Sequence, residues 1–280
     1  MGPTASGKTE YAIKLAQKLG GEIVSADSMQ IYKFMDIGSA KPTAEERARA
    51  KHWLVDEIDP RSPFNVADYQ KLALQYIRVI DSRGKVPVVC GGTGLYVNSL
   101  IYDMDFSAPE GNDGYRQKIF EEEGGDAERI HERLEKLDPA AAGEIHVNNV
   151  KRALRAIERL ENGEEKLARF AEATTPSSII EPVMYGLDME RSRLYERINT
   201  RVDRLFEAGL AEEVQRLMDM GLTAKDVAMK GIGYKEIIEA VDAGLPAESA
   251  KETIKANTRH YARRQLIWFR RYPQIKWIKV

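Results

Sequence analysis

One cysteine, Cys90, stands in 280 residues, which excludes an intrachain disulfide and any cysteine-based zinc cage. It ends the apolar stretch Val86-Pro87-Val88-Val89 and reads as a buried strand residue, not a nucleophile. Long apolar runs are also missing: none approaches the roughly 20 residues needed to span a bilayer, and no signal peptide is recognisable. A cytoplasmic location without a membrane partner is the expectation. There is no guanine-recognition motif of the Asn-Lys-x-Asp kind, which argues against a GTPase, and no internal repeat. Net charge is scarce as well, at −2.

That small total hides an uneven distribution. From Lys251 to the end the chain carries nine Lys or Arg against one acid, Glu252, a local balance of +8 that leaves −10 for the rest. A basic end on an acidic body is the electrostatic footprint of a polyanion-binding surface.

What is present begins at once. Gly2-Pro3-Thr4-Ala5-Ser6-Gly7-Lys8-Thr9 is a complete G-x-x-x-x-G-K-[ST] loop. In that spacing backbone N–H groups converge on a polyphosphate, Lys8 adds a mobile ammonium, and the Thr9 hydroxyl can ligate Mg²⁺ at the start of a helix. The amphipathic run Tyr11-Ala12-Ile13-Lys14-Leu15-Ala16 supplies that helix. Such a loop normally follows a buried strand, whereas only Met1 precedes this one. A few more apolar residues are expected ahead of it in the natural protein.

The first hundred residues alternate short apolar strands with helical patterns, the signature of an α/β core with a parallel sheet flanked by helices. The pattern predicts strands over Glu22–Ala26 and Lys85–Cys90, a helix over 65–83, and a tight turn Gly91-Gly92-Thr93-Gly94 before a helix beginning near Leu95. Ligands of open α/β sheets sit at the carboxyl ends of strands, where this reading places Asp27, Thr93 and the phosphate loop. Residues 106–186 read as a mostly helical insert without a convincing strand. Gly111-Asn112-Asp113-Gly114 and Thr174-Thr175-Pro176-Ser177-Ser178 are its expected loops. The core, 1–105 and 187–280, resumes with a strand from Leu187 and long helices over 191–220 and 249–270, with Gly231-Ile232-Gly233-Tyr234 between them.

At about 100° per residue, Lys255, Arg259, Arg263 and Arg270 share one stripe of the last helix, opposite Ile254, Tyr261 and Trp268. Near 148–160, Arg152, Arg155 and Arg159 likewise oppose Val150, Leu154 and Ile157. A solvated charged face is the usual meaning of such a stripe. Two of them, one almost without neutralising acids, favour contact with a phosphate backbone, which positions an RNA without reading its bases.

The phosphate loop alone says only that a polyphosphate binds. Nucleotide hydrolases usually add a strand ending in an aspartate, but the strand ending at Cys90 runs into glycine and threonine. The other strand does end in acid, and by composition Asp27 is equally a metal ligand, a helix N-cap or a general base.

Several strings together resemble the tRNA dimethylallyltransferases: Gly2–Thr9, Asp27-Ser28-Met29-Gln30-Ile31-Tyr32, Met35-Asp36-Ile37-Gly38-Ser39-Ala40-Lys41-Pro42 and Gly91-Gly92-Thr93-Gly94-Leu95-Tyr96. His146-Val147-Asn148-Asn149-Val150-Lys151-Arg152, Gly231–Glu236 and Thr258–Gln265 with Trp268-Phe269-Arg270 extend the likeness over nearly the whole chain. The resemblance implies transfer of a dimethylallyl group from its diphosphate to N6 of adenine 37, beside a tRNA anticodon. Gly2 to Thr9 would hold the departing pyrophosphate with Mg²⁺, and Lys8 would stabilise the leaving charge. Asp27 matches the general base. Thr93 matches a threonine where the two substrates meet in a channel, and the adenine must flip out of its stack to reach it.

By the same resemblance Asp27, Ser28, Met29, Gln30 and Thr93 face the tRNA, and Lys151, Arg152, Ala153, Leu154 and Arg155 match an element on the anticodon stem-loop. The family usually has glutamine where Lys151 stands, and many relatives carry a larger residue at Gly94. Arg116 corresponds to a tRNA-contacting arginine of the insert, Arg259 and Arg263 are the RNA-facing pair of the last helix, and Arg197 and Arg201 are both candidates for a second cation near the pyrophosphate. A monomer is expected. Two rival readings are a P-loop kinase or ATPase acting on nucleotides, and a prenyltransferase acting on free AMP or ADP. The basic helices count against both.

Overall fold

The structure, a computed structural model, describes residues 1–104, 112–163 and 175–280. Gly111 and Thr174, at the edges of the two expected insert loops, and residues 106–110 and 164–173 of the insert lie outside the described residues. The chain divides into two compact units, Met1–Ile101 with Ile179–Val280, and Tyr102–Ser178. The divisions fall a few residues ahead of the 105/106 and 186/187 expected from composition. Tyr102 forms an antiparallel bridge with Pro176, and the Asp103 N–H donates to the Thr175 carbonyl at 3.0 Å, tying both flanks into the second unit.

In the first unit, helix α1 (Lys8–Leu19) leads into strand β1 (Glu22–Ala26), buried at all five positions as expected for a strand covered on both faces. β1 is the centre of a parallel sheet between β2 (His52–Trp53) and β3 (Pro87–Gly91). Even Glu22 is buried, and is satisfied by the Trp53 indole N–H at 2.8 Å and the Lys85 ammonium at 2.7 Å. β3 starts two residues later than predicted, and Cys90 on it is half-buried, not fully enclosed. Its thiol donates to the Lys8 carbonyl at 3.7 Å, and burial pushes its pKa up, which disfavours the nucleophilic thiolate.

Short α2 (Ala44–Arg49) and α3 (Val66–Asp81) each begin with a capping box, from Thr43 with Glu46 and from Asn65 with Asp68. α4 (Gly94–Ile101) closes the first segment. After the insert, β4 (Tyr185–Asp188) pairs in parallel with β5 (Lys276–Lys279) at the end of the chain. The chain start runs beside β4: the Met1 amine donates to Tyr185 O at 2.8 Å, and Leu187 N–H donates to Met1 O at 3.0 Å.

Four helices, α5 (Asp113–Glu122), α6 (Ala127–Leu137), α7 (Pro139–Glu144) and α8 (Val150–Glu161), build the second unit around Ile119, Ile130, Leu134, Ile145, Ala153 and Ile157. Among the described residues it holds no strand, although β4 begins at Tyr185, inside the 106–186 span expected to be free of strands.

The helix predicted over 191–220 is two, α9 (Arg191–Glu207) and α10 (Leu210–Asp219), separated at Gly209 with φ +96°. Only glycine adopts that angle without strain, so the periodicity continues while the axis does not. The break places buried Glu213 of α10 against the loop after Met35. Its carboxylate accepts the N–H groups of Asp36, Ile37 and Gly38 at 2.8, 2.8 and 2.9 Å. α11 (Tyr234–Asp242) and α12 (Lys251–Phe269) complete the unit.

Candidate active site

The loop between Met1 and α1 has the backbone its sequence requires. Ala5 and Gly7 take left-handed angles, φ +62° and +91°, and Ser6 is pinned by donating its hydroxyl to Pro3 O at 2.8 Å. α1 begins at this turn with no side-chain cap at Gly7, which leaves its first N–H groups as a cradle for an anion. Lys8 lies folded over this cradle, its ammonium donating to Pro3 O at 2.7 Å. Desolvation is the main cause that lowers its pKa to about 8, with Arg201 adding repulsion and Asp27 and Cys90 opposing the shift.

The two candidate arginines of α9 differ in role. Arg197 is exposed and spends its Nε–H on the Ala5 carbonyl at 2.9 Å, so it braces the loop. Arg201 is the desolvated cation: burial lowers its pKa, Asp27 counters that shift, and its charge is felt at Lys8.

Asp27 follows β1 directly. Its Oδ1 accepts the N–H groups of Met29 and Gln30 at 2.9 and 3.3 Å, which caps the turn that follows and leaves Oδ2 without a hydrogen-bond partner among the described residues. Capping is therefore part of its role, and it orients the carboxylate without using it up. Gln30 is held in turn: Ser25 donates to its Oε1 at 3.2 Å, and its amide nitrogen donates to Ala40 O at 3.2 Å. Thr93 stands across from this turn. Its hydroxyl accepts the Ser28 N–H at 3.1 Å, while its own N–H donates to Ala26 O at 3.1 Å. Asp27, Ser28 and Thr93 thus form one cluster at the carboxyl ends of β1 and β3, as the strand reading required.

The glycines around Thr93 are spaces for particular neighbours. A Cβ on Gly91 would lie 2.1 Å from the Ala26 carbonyl, one on Gly92 2.2 Å from Gln265 Nε2, and one on Gly94 2.4 Å from Trp268 Cδ1. Gln265 and Trp268 are three residues apart on α12, so one helix face fits this turn. A larger residue at position 94 has no room beside Trp268 here. Burial pushes the phenol of Tyr261, one turn before Gln265, up to about 12, with the Thr93 and Gln265 side chains opposing that shift. The helical wheel puts Tyr261 on the apolar side of α12 and assigns Gln265 no role. A polar residue forty degrees from Tyr261 on that side was the available signal.

Among the described residues no group of three or more His, Cys, Asp or Glu could hold a metal ion. The donor that the loop itself offers is the Thr9 hydroxyl. So sparse a set fits a magnesium ion that keeps several waters and is carried chiefly by phosphate oxygens.

The basic stripe of α12 splits in two. Lys255 is engaged by Asp203 at 2.8 Å and Glu252 at 3.0 Å, and half-buried Arg259 donates to Asn199 of α9 at 2.6 Å. These two side chains therefore have partners within the fold, on α9 and on α12 itself, which the helical wheel does not reveal. Arg263, Arg264, Arg270 and Arg271 are exposed. A cavity of about 670 Å³ beside them, lined by Arg191, Arg263, Arg270 and Lys279 with Asp188 and Glu190, lies at the far end of α9 from Arg201.

In the second unit Lys151, Arg152 and Arg155 are exposed along α8, whereas Ala153 and Leu154 face its core at 0% and 8% exposure. The latter two support the helix and have no side-chain surface for an RNA. Arg116 is mostly enclosed, paired with Asp113 and with Glu158 at 3.3 Å.

Residues 30–272 match the family model described as IPP transferase. The chain is 48% identical to a tRNA dimethylallyltransferase of Alkaliphilus metalliredigens over 278 residues, which covers 99% of this chain and 89% of that protein. Among solved structures, a full-length tRNA isopentenylpyrophosphate transferase from Bacillus halodurans superposes with TM-score 0.72 at 41% identity, covering 99% of this chain and 88% of that one. A eukaryotic dimethylallyltransferase acting on tRNA gives TM-score 0.81 at 27% identity, covering 99% and 72%.

Proposed function

This chain belongs to the IPP transferase family, and on that premise we propose that it transfers a dimethylallyl group from dimethylallyl diphosphate to N6 of adenine 37 in a tRNA anticodon loop. The observation that carries the reading is the pairing of a phosphate cradle with Asp27, a capped carboxylate whose charge is felt at both Lys8 and Arg201.

The cradle amides of residues 5 to 9, Lys8 and Arg201 receive the diphosphate. Lys8 gives up its contact with Pro3 O to do so. As the allylic C–O bond breaks, these groups stabilise the charge that collects on pyrophosphate, the bond-breaking counterpart of an oxyanion hole. Bound with the diphosphate and the Thr9 hydroxyl, Mg²⁺ supplies further charge neutralisation. An exocyclic adenine amine is a weak nucleophile. Asp27 Oδ2 takes its proton as the new C–N bond forms, and Oδ1, held by Met29 and Gln30, fixes the direction of approach. Thr93 and the 28–30 turn border the flipped base, Arg263 of α12 offers a charge to RNA phosphates, and in the second unit Lys151, Arg152 and Arg155 of α8 do the same.

The deciding experiment offers labelled dimethylallyl diphosphate to an unmodified anticodon stem-loop and, separately, to AMP and ADP. Label in the stem-loop alone supports the reading. Label only in free nucleotide shows the smaller acceptor to be the substrate, and consumption of ATP without label transfer shows a kinase or ATPase.

A further inference from the structure

The two halves of the proposed site hang on different strand pairs. The phosphate loop is registered by Met1 beside β4, whereas Thr93 is registered by Ala26 of β1. Catalysis in one place requires their spacing to be held, and one side chain spans it. Gln265 of α12, 5% exposed, accepts the Thr4 N–H at Oε1 at 2.8 Å and donates from Nε2 to the Gly92 carbonyl at 2.9 Å. Thr4 belongs to the phosphate loop, and Gly92 immediately precedes Thr93. Resting on the function proposed above, we propose that Gln265 is a positioning residue that sets the distance between the diphosphate cradle and the Thr93–Asp27 cluster.

The chemistry of the bridge selects an amide. Thr4 N–H needs an acceptor and Gly92 C=O needs a donor, and the neutral amide presents one of each on a planar head. The network also fixes which way the amide points. An ionised glutamate would present an acceptor to the Gly92 carbonyl, setting two oxygens against each other. A methionine would fill the same volume and bridge nothing. Gly92 completes the fit, since a Cβ there would lie 2.2 Å from Nε2.

The test measures kcat, KM for dimethylallyl diphosphate and stem-loop affinity for wild type, Gln265→Met and Gln265→Glu at pH 8. Misplacement of reacting groups by an ångström costs on the order of 10²-fold in rate. Both variants should lose about that much kcat while KM and RNA affinity stay within about threefold. Gln265→Glu carries a second signature, because its protonated acid again offers one donor and one acceptor. Its rate relative to wild type should climb at least about fivefold from pH 8 to pH 5.5, while that of Gln265→Met stays flat. Thr93→Ala should cost less in the Gln265→Met background than in wild type.

A relative rate for Gln265→Glu that is flat with pH overturns the bridge, and so does a wild-type kcat in either variant. Should Gln265→Met fail to fold, the pH profile of Gln265→Glu decides alone. Absence of transfer by wild type in the same assay is distinct from these outcomes, since it removes the proposed function itself.

Discussion

The Tyr234 hydroxyl donates to the Glu213 carboxylate at 2.7 Å, and both side chains are buried. Tyr234 also accepts the Ser39 N–H at 3.1 Å, so two residues from α10 and α11 anchor four consecutive backbone amides, Asp36 to Ser39. The carboxylate holds the Tyr234 phenol well above its ordinary pKa, after burial as the first cause. That loop in turn receives Gln30 at Ala40, so the anchor reaches the turn capped by Asp27.

Removing the phenol oxygen leaves the buried Ser39 N–H without its acceptor. Tyr234→Phe is expected to destabilise the fold by about 1–3 kcal/mol, the cost of an unsatisfied buried group. Glu213→Ala strips three more donors and should cost more. Urea denaturation gives both values, and an unchanged midpoint for Tyr234→Phe would show the anchor to be dispensable.

Lys8 provides a pH signature. With its pKa lowered to about 8 by desolvation, the ammonium is present below that pH and lost as pH rises through it. Pyrophosphate requires the charged form and raises the pKa on binding, so binding takes up protons near pH 8 and affinity falls above it. Calorimetry in buffers of different ionisation enthalpy measures that uptake. Lys8→Ala should bind weakly and without this dependence.

The split stripe of α12 makes opposite forecasts for its two halves. Replacing Arg263 and Arg264 by alanine should reduce the slope of log K against log salt for stem-loop binding by about 0.7–0.9 per charge that touches a phosphate. Replacing Arg259, which spends its guanidinium on Asn199, should leave the slope unchanged and lower the melting temperature instead. Equal slope changes at both positions would restore the continuous RNA-facing stripe.

Gly94 tests the packing of the Thr93 turn. Gly94→Ala places a methyl 2.4 Å from the Trp268 ring, which is itself held through its indole N–H by Tyr272 at 2.9 Å. Overpacking of this kind costs about 1–3 kcal/mol. Thermal unfolding measures it, and a wild-type midpoint would mean that the indole yields freely.

Much of this was legible in the sequence because local rules decide it. The loop spacing, the buried run Glu22–Ala26 and the amphipathic α8 follow from motif and periodicity. Ala153 and Leu154 were named as RNA contacts from the motif, although the apolar face of the same helix already assigned Leu154 to the core. What stayed hidden depends on tertiary partners. Nothing local announces that Gln265 meets Thr4 and Gly92, that Arg259 is spent on Asn199, or that the helix pattern over 191–220 breaks at Gly209. Helical phase shows which residues share a face but not what that face meets.

The most direct test of the account is single-turnover transfer by Asp27→Asn beside wild type, with RNA and diphosphate affinities measured in parallel. The asparagine keeps an oxygen for the Met29 and Gln30 amides but cannot take a proton from the adenine amine. The account predicts both affinities preserved and transfer slowed by about 10²–10⁴-fold. Transfer at the wild-type rate would contradict it.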